Sequence, residues 1–223
     1  MARTKAMRPC LLPWALVLVQ QGWAAAPAEA VRFAGRELSE DDTRRLEEGE
    51  ILTRWEGTSG PTRIVGSAGL LPAPARDSWL LVTDFRNYAR IYTGIRSARI
   101  LSETPGETVG RYGISLPWPL PERWVTTRCQ VEPERRACAW QKVEGTLRTY
   151  EGHMQVWPWS GRRSLLVYAA RVDPDLPFLP AWFLEWAQES ALPGVVAGIR
   201  DTLARPTGPY WQPGVQRPDF EVA

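Results

Sequence analysis

The sequence has few of the residues that carry most catalytic and metal chemistry. It contains one histidine and three cysteines, and no paired carboxylates at ligand spacing, so we expect no metal site. It has no G-x-S-x-G motif, no phosphate-binding glycine loop and no C-x-x-C motif. Sequence support for a hydrolase, a kinase or a dithiol redox protein is therefore missing, and we expect no cofactor.

The chain also lacks an excess of charge of either sign. Its formal net charge is +2, and its first 26 residues contain Arg3, Lys5 and Arg8 but no acid. The rest of the chain contains 24 basic and 25 acidic side chains. A nearly neutral domain gives no electrostatic reason to expect a nucleic-acid partner. The 223 residues, 44% of them hydrophobic, are enough to bury one sizeable core.

No hydrophobic run near the amino terminus reaches the roughly 20 residues that span a bilayer. Instead, the basic residues precede a short apolar segment, CLLPWALVLV, and then the small residues AAAPAEA. This pattern is typical of a signal peptide over residues 1–26, with cleavage after Ala26 or Ala30. We expect the protein to be periplasmic or secreted, and an uncleaved membrane anchor is the alternative.

Export would allow the two remaining cysteines to form a disulfide. Cys129 and Cys138 flank VEPERRA, which has the character of a hairpin turn. If the loop is Pro133-Glu134 alone, the two cysteines face each other in the closer type of cross-strand pair, where a disulfide can form. A longer loop would shift the register and leave two half-buried thiols.

The pattern of elements changes twice along the chain. Residues 27–49 predict an exposed N-terminal arm with a helix that Ser39 caps. From Glu50 onward the sequence predicts two extended segments, and residues 72–92 then predict two short helices that break near Asp84 or Asn87.

Six alternating segments at hairpin spacing follow, which indicates consecutive antiparallel strands. They are 95–103, 107–116, 123–132, 135–144, 149–159 and 162–173. Residues 181–204 then predict a long helix, bent at Pro193-Gly194, and residues 205–223 form a tail rich in proline and glycine. A curved sheet folded around that helix is the arrangement that buries both apolar faces, so residues 50–204 are one α+β domain.

Three stretches resemble the START-like superfamily, also called the SRPBCC group. They are APARDSWLLVTDFRNYARIYTGIRSARIL, LPWPLPERWV, and VYAARVDPDLPFLPAWFLEWAQESALPGVVAGIRDTL, in the family's order over residues 62–204. The resemblance implies the helix-grip fold: a curved antiparallel sheet wrapped around a long C-terminal helix, with two short helices after the first strand and a cavity for an apolar ligand. One departure is Trp124, which stands where START domains usually have an acid.

Alternation along the strands and the apolar face of the helix identify the residues that we expect to line this cavity. On one strand, His153 alternates with inward-facing neighbours and is predicted to face outward. The expected lining residues are Tyr112, Ile114, Met154, Val156, Leu166, Tyr168, Trp182 and Trp186.

The stretch SLPWPLPERW raises two further candidates. Trp118 lies on a turn that its prolines stiffen, which favours an aromatic lip over a cavity mouth or a residue that dips into a lipid surface. Arg123 can receive a carboxylate or phosphate group or stack on an indole, and the alternative is that it pairs with Glu122 or Glu144. Arg128, on the face of Trp124, is the competing candidate for a buried cation.

The sequence thus predicts an exported domain that binds a hydrophobic small molecule, a lipid, sterol or isoprenoid, for carriage or sensing, with transient membrane contact. The alternative is a cyclase or dehydratase that uses the same cavity, with Tyr112, Tyr168 or Arg123 as acid or electrostatic stabiliser. A third hypothesis is a structural partner-binding domain, which would have a closed core and an exposed aromatic patch.

Overall fold

A computed structural model describes residues 31–33, 35–56, 64–175, 182 and 186–220. The predicted signal peptide and both candidate cleavage positions lie outside these residues. Within them, no helix combines the length and the apolar character needed to cross a bilayer.

The centre of the fold is one antiparallel sheet of eight strands. The strands are β3 (Leu52–Glu56), β4 (Ile64–Leu71), β5 (Ile95–Thr104), β6 (Glu107–Ile114), β7 (Arg123–Glu132), β8 (Ala137–Gly145), β9 (Thr149–Pro158) and β10 (Ser164–Asp173). Their spatial order is β3-β4-β10-β9-β8-β7-β6-β5, so the strands from β5 to β10 pair in succession and the antiparallel β3–β4 pair joins the sheet at β10. The six-strand series that the alternation predicts is confirmed.

Side-chain alternation in β9 and β10 gives the sheet one inner face. Met154 pairs with Tyr168 and Val156 pairs with Leu166, and all four side chains are buried. His153, between them, is exposed as predicted. Residues that lie opposite each other in a ladder share a face, so both strands turn the same apolar row toward the helices.

Two short helices cross between β4 and β5. They are α2 (Ala75–Val82) and α3 (Tyr88–Ile91), separated by a 3₁₀ turn over Phe85–Asn87. The break falls at Asp84, whose buried carboxylate accepts a 2.9 Å hydrogen bond from Asn87 Nδ2. Burial raises the pKa of Asp84 against the effect of its hydrogen-bond donors.

The terminal helix α4 (Leu192–Ala204) packs on β4, and a π-helical turn, Ala187–Ala191, precedes it. The predicted bend at Pro193-Gly194 is instead a change of helix type just before Pro193, since proline fits the first turn of an α-helix. Close approach to the sheet depends on Gly69, because a Cβ there would lie 2.7 Å from Val196 Cγ1.

The N-terminal arm is less exposed than predicted. It consists of a hairpin, β1 (Arg32–Phe33) and β2 (Arg36–Glu37), and helix α1 (Glu40–Glu47), which begins at the predicted cap Ser39 with a capping box to Asp42. Phe33 is fully buried against Gly66 on the outer face of β4. The arm covers this face because Gly66 has no side chain to hold the ring away.

The C-terminal tail is irregular, as predicted, but packs into the core. Tyr210 is 1% exposed, and its hydroxyl donates a 2.8 Å hydrogen bond to Asp84 Oδ2. Trp211 Nε1 donates to Thr202 O at 2.7 Å. Residues 205–220 therefore hold the linker between α2 and α3 against the end of α4.

Candidate functional site

Six aromatic side chains line the inner face of the sheet and the helices that cover it. Tyr112, Trp140, Tyr150 and Tyr168 come from β6, β8, β9 and β10, while the Tyr88 and Tyr92 side chains come from α3 and its end. They include five of the six tyrosines in the chain. We call this set the aromatic wall: Tyr88, Tyr92, Tyr112, Trp140, Tyr150 and Tyr168.

Tyr88 joins the helical part of the wall to the sheet. Its ring centroid lies 4.9 Å from that of Tyr92, edge to face, and 5.6 Å from that of Tyr112. Its hydroxyl donates a 2.8 Å hydrogen bond to Val82 O, so the end of α2 fixes the ring. Edge-to-face and offset rings at these separations attract one another.

Trp140 is the centre of the part of the wall that the sheet provides. Its indole stacks on Tyr168, with centroids 5.4 Å apart and an interplanar angle of 25°, and lies 6.1 Å from Tyr150. Gly152 makes room for it, because a Cβ at that position would lie 2.5 Å from Trp140 Cζ2. The indole position therefore depends on a glycine in the neighbouring strand.

Burial keeps every phenol of the wall in its neutral form. Burial is the largest cause that raises the pKa of each of the five tyrosines. Electrostatic interactions with neighbouring phenols and thiols raise these pKa values further. A neutral phenol can donate a hydrogen bond or polarise a carbonyl, but it is a poor base near neutral pH.

One polar atom of the wall, Trp140 Nε1, is inaccessible to solvent and has no hydrogen-bond partner in the described part of the chain. Tyr92 Oη is also inaccessible and makes no hydrogen bond of ordinary length and angle, although an interaction with the Tyr88 hydroxyl opposes the rise in the pKa of Tyr92. Trp140 as a whole is only 5% exposed. A buried donor without a partner costs about 1–3 kcal/mol, so these atoms are where a ligand oxygen would gain most.

The structure brings most of the predicted lining residues together. Five of them are buried in the same core cluster as Trp140, and Ile114 packs against that cluster half-buried. Trp182 is 38% exposed and Trp186 is half-buried, so the structure does not place them with the buried group. The five buried residues are Tyr112, Met154, Val156, Leu166 and Tyr168.

Arg123 binds neither of the two predicted glutamates. Its Nε donates to Pro174 O at 3.1 Å, while Glu144 pairs with Arg111 at 2.8 Å. Because Arg123 lies opposite Ile114 in the β6–β7 ladder, it lies at the rim of the inner face. Arg128 is on the surface, 3.5 Å from a carboxylate oxygen of Glu107, which removes it as a buried cation.

The Trp118 ring is 90% exposed on the loop between β6 and β7. An exposed ring at this position is compatible with a lip over a cavity mouth or with a membrane contact.

Cys129 and Cys138 are buried free thiols, and the directly opposed pair that would form a disulfide is absent. Cys129 pairs with Trp140, and Cys138 pairs with Val131. The reason is the loop, in which a 3₁₀ turn over Pro133–Arg135 and the left-handed Arg136 replace a two-residue turn. This longer loop shifts the register and leaves the cysteines diagonal to each other.

Sequence reasoning did not select Tyr88, Tyr92, Trp140 or Tyr150 as lining residues. Tyr88 and Tyr92 are four residues apart, which is the spacing of one helix face. Tyr150 and Met154 are also four residues apart on one strand, which places them on the same face of the sheet. These spacings could have identified the tyrosines as lining residues. What the sequence could not show is that helix and strands bring these rings together.

Two surface clefts formed by described residues lie elsewhere. One is polar and lies between the N-terminal arm and β3, next to Asp42 and Arg54. The other is a groove beside Trp79, Phe85 and the β5–β6 turn. Among the described residues, no three His, Cys, Asp or Glu side chains lie close enough to hold a metal ion.

Comparison with known proteins identifies a family. The sequence model of the family described as "Polyketide cyclase / dehydrase and lipid transport" matches residues 71–200. No curated protein sequence matches the chain.

Solved structures with the same fold include lipid-transfer proteins and a cyclase. The STAR-related lipid transfer protein of Xanthomonas axonopodis is 17% identical, with a TM-score of 0.58 over 70% of this chain and 94% of that one. Human STARD10 is 15% identical, with a TM-score of 0.54 over 80% and 83%. The di-domain ARO/CYC protein BexL is 17% identical, with a TM-score of 0.51 over 65% and 47%.

At these identities the structures show the fold alone, which is the helix grip that the sequence resemblance implies. The family model covers more than half of the chain. The chain therefore belongs to the polyketide cyclase/dehydrase and lipid transport family, within the START-like superfamily.

Proposed function

We propose that this protein binds a hydrophobic small molecule, a lipid, sterol or isoprenoid, against the aromatic wall, for carriage or sensing. Membership of a family with lipid-transport members supports the class of ligand. The observation that carries the proposal is the buried Trp140 Nε1, which has no partner in the described part of the chain, together with the buried Tyr92 Oη, among apolar and aromatic side chains. Apolar burial supplies affinity and a few polar groups set orientation in such sites.

Export is part of the same proposal. It rests on the basic start, the short apolar segment and the small residues that follow in the sequence. A periplasmic or secreted location would suit a protein that carries an insoluble molecule between surfaces.

The wall suits binding and supplies no general base. Burial raises the pKa of Tyr112 and Tyr168, so both stay protonated and could serve a cyclase or dehydratase only as an acid or electrostatic stabiliser. His153 is exposed on the other face of its strand. The tyrosines can hold and polarise an oxygen of the ligand, which is sufficient for a carrier.

Lipid extraction tests the proposal. The full chain is purified from cells that export it, extracted with organic solvent and analysed by mass spectrometry beside an exported protein of similar size. We expect one apolar molecule per chain in substantial occupancy. A chain that carries no apolar molecule, and that takes none up from liposomes, would contradict it.

We further propose that Trp118 contacts the membrane during loading, since its ring is 90% exposed on a proline-stiffened loop and indoles favour lipid interfaces. Trp118→Ala should slow ligand transfer between vesicles about tenfold without lowering the midpoint of thermal unfolding. Leu101→Ala, at another exposed apolar side chain, is the matched control and should leave the rate unchanged. An unaltered rate in Trp118→Ala would remove the membrane role.

A further inference from the structure

The aromatic wall also indicates which chemical class of hydrophobic ligand fits it. We propose that the ligand is uncharged and carries an oxygen acceptor that receives hydrogen bonds from Trp140 Nε1 and Tyr92 Oη. This inference rests on the proposed function and restricts it: neutral carbonyl- or hydroxyl-bearing molecules bind inside, whereas fatty-acid carboxylates and phospholipid phosphates do not.

The charge of the wall is the first reason. None of the described residues that are fully buried is a lysine, arginine or histidine, and the charged ones among them are aspartates. The interior around Trp140 therefore offers a bound anion no fully buried cationic side chain. An isolated ionised carboxylate in such surroundings is far more costly than a neutral carbonyl.

Charged side chains that border the interior are already bound by protein groups. Arg200, whose Nη2 is buried without a partner, donates through Nε to Leu70 O at 3.0 Å and through Nη1 to Gly49 O at 2.9 Å. Glu103 acts electrostatically on Tyr112, but it is half exposed and pairs with Arg86 at 2.6 Å. Arg123 lies at the rim and bonds Pro174 O through Nε. A charged headgroup would therefore have to stay at the rim, outside the wall.

The second reason is the kind of polar atom left unpaired. An indole N–H donates only, so Trp140 Nε1 requires an acceptor. Tyr92 Oη can donate to the same or a neighbouring acceptor. The two residues lie in one region, because Tyr150 and Tyr168 neighbour both: they contact the Trp140 ring and interact electrostatically with Tyr92.

Tyr88 provides an internal contrast. Its hydroxyl already donates to Val82 O, so it is not free to bind a ligand. Removing this hydroxyl breaks a structural bond, whereas removing the donor at position 140 takes away a bond that only a ligand completes. Tyr92 is intermediate, because the Tyr88 hydroxyl interacts with it.

Three fluorescent probes with one common body test the inference: 12-pyrenyldodecanoic acid, its methyl ester, and the corresponding pyrenyl alkane. Affinity is measured by fluorescence titration of the full chain at neutral pH, for the wild type and for Trp140→Phe, Tyr92→Phe and Tyr88→Phe. We expect the ester to bind at least tenfold more tightly than the acid. Trp140→Phe and Tyr92→Phe should each weaken the ester about tenfold and change the alkane less than twofold.

Tyr88→Phe should change ester and alkane by the same factor. If the acid binds as tightly as the ester, or if Trp140→Phe and Tyr92→Phe weaken ester and alkane equally, the inference is wrong although ligand binding stands. If none of the probes binds, the proposed function itself fails. If a variant does not fold, the comparison of the acid with the ester in the wild type still shows whether the site accepts a charged ligand.

Discussion

Replacing Arg54 by methionine should lower the free energy of unfolding by about 2–3 kcal/mol. Arg54 Nη2 pairs with Asp42 Oδ1 between β3 and α1, and the two side chains are only 13% and 5% exposed. Its guanidinium also lies 5.0 Å from the centroid of Phe33. Removing one member of a largely buried ion pair leaves an uncompensated charge, which costs more than the pair itself contributes. Urea unfolding at neutral pH measures the change.

The same pair makes the effect depend on pH. Burial opposes ionisation of Asp42, but hydrogen bonds from Arg54 and Ser39 outweigh it and lower the pKa of Asp42 from 3.8 to about 2. An acid whose pKa is lowered in the folded state stabilises the fold above its unfolded value, and the contribution disappears as pH falls through about 2. The difference between wild type and Arg54→Met should therefore shrink between about pH 4 and pH 2.

Arg44→Met is the matched control, because Arg44 pairs with Asp41 and Glu48 on the exposed side of α1. It should leave stability unchanged within error. Equal effects of the two substitutions, or a difference that does not depend on pH, would show that the arm is not held by the buried pair.

Replacing Gly198 by alanine should destabilise the fold by about 2 kcal/mol, although alanine is the better helix former. A Cβ on Gly198 would lie 2.8 Å from Ile91 O and 3.0 Å from Tyr92 Cδ1. Ile91 O belongs to the backbone, so α4 has to move away from α3 and from the wall residue Tyr92. Overpacking of this kind costs about 1–3 kcal/mol even after the gain in helix propensity.

Gly194 lies in the same helix and has no atom within 4 Å of the Cβ that alanine would add. Gly194→Ala should therefore stabilise the protein by about 0.5–1 kcal/mol, because it restricts the unfolded chain. Thermal unfolding of both variants compares a tight and an open position in one helix. If both variants are more stable than the wild type, α4 does not pack against Ile91 and Tyr92 at Gly198 as closely as described.

The strands were predictable because their signal is local. Alternation together with flanking turn residues predicts β7 over 123–132, and the structure has the strand at the same residues. The same alternation assigns His153 outward and Met154 inward. The two short helices also follow from local spacing, and their break falls at Asp84, one of the two predicted positions.

Features that depend on distant partners were not predictable. Phe33 is buried because Gly66, far along the chain, leaves room for its ring. The Tyr210 side chain is buried with its hydroxyl donating a hydrogen bond to the carboxylate of Asp84, which is also distant in sequence. The wall forms because a helix end brings Tyr92 beside strands that carry Tyr150 and Tyr168. Which residues lie opposite Cys129 and Cys138 depends on the length of the β7–β8 loop, and the sequence pattern does not determine that length.

A crystal structure of the protein purified from its native compartment is the most direct test of the account. We predict electron density for a bound apolar molecule against the aromatic wall, with an oxygen about 2.7–3.2 Å from Trp140 Nε1 or Tyr92 Oη. An interior filled by the protein's own side chains, with both atoms bonded to protein groups, would contradict it.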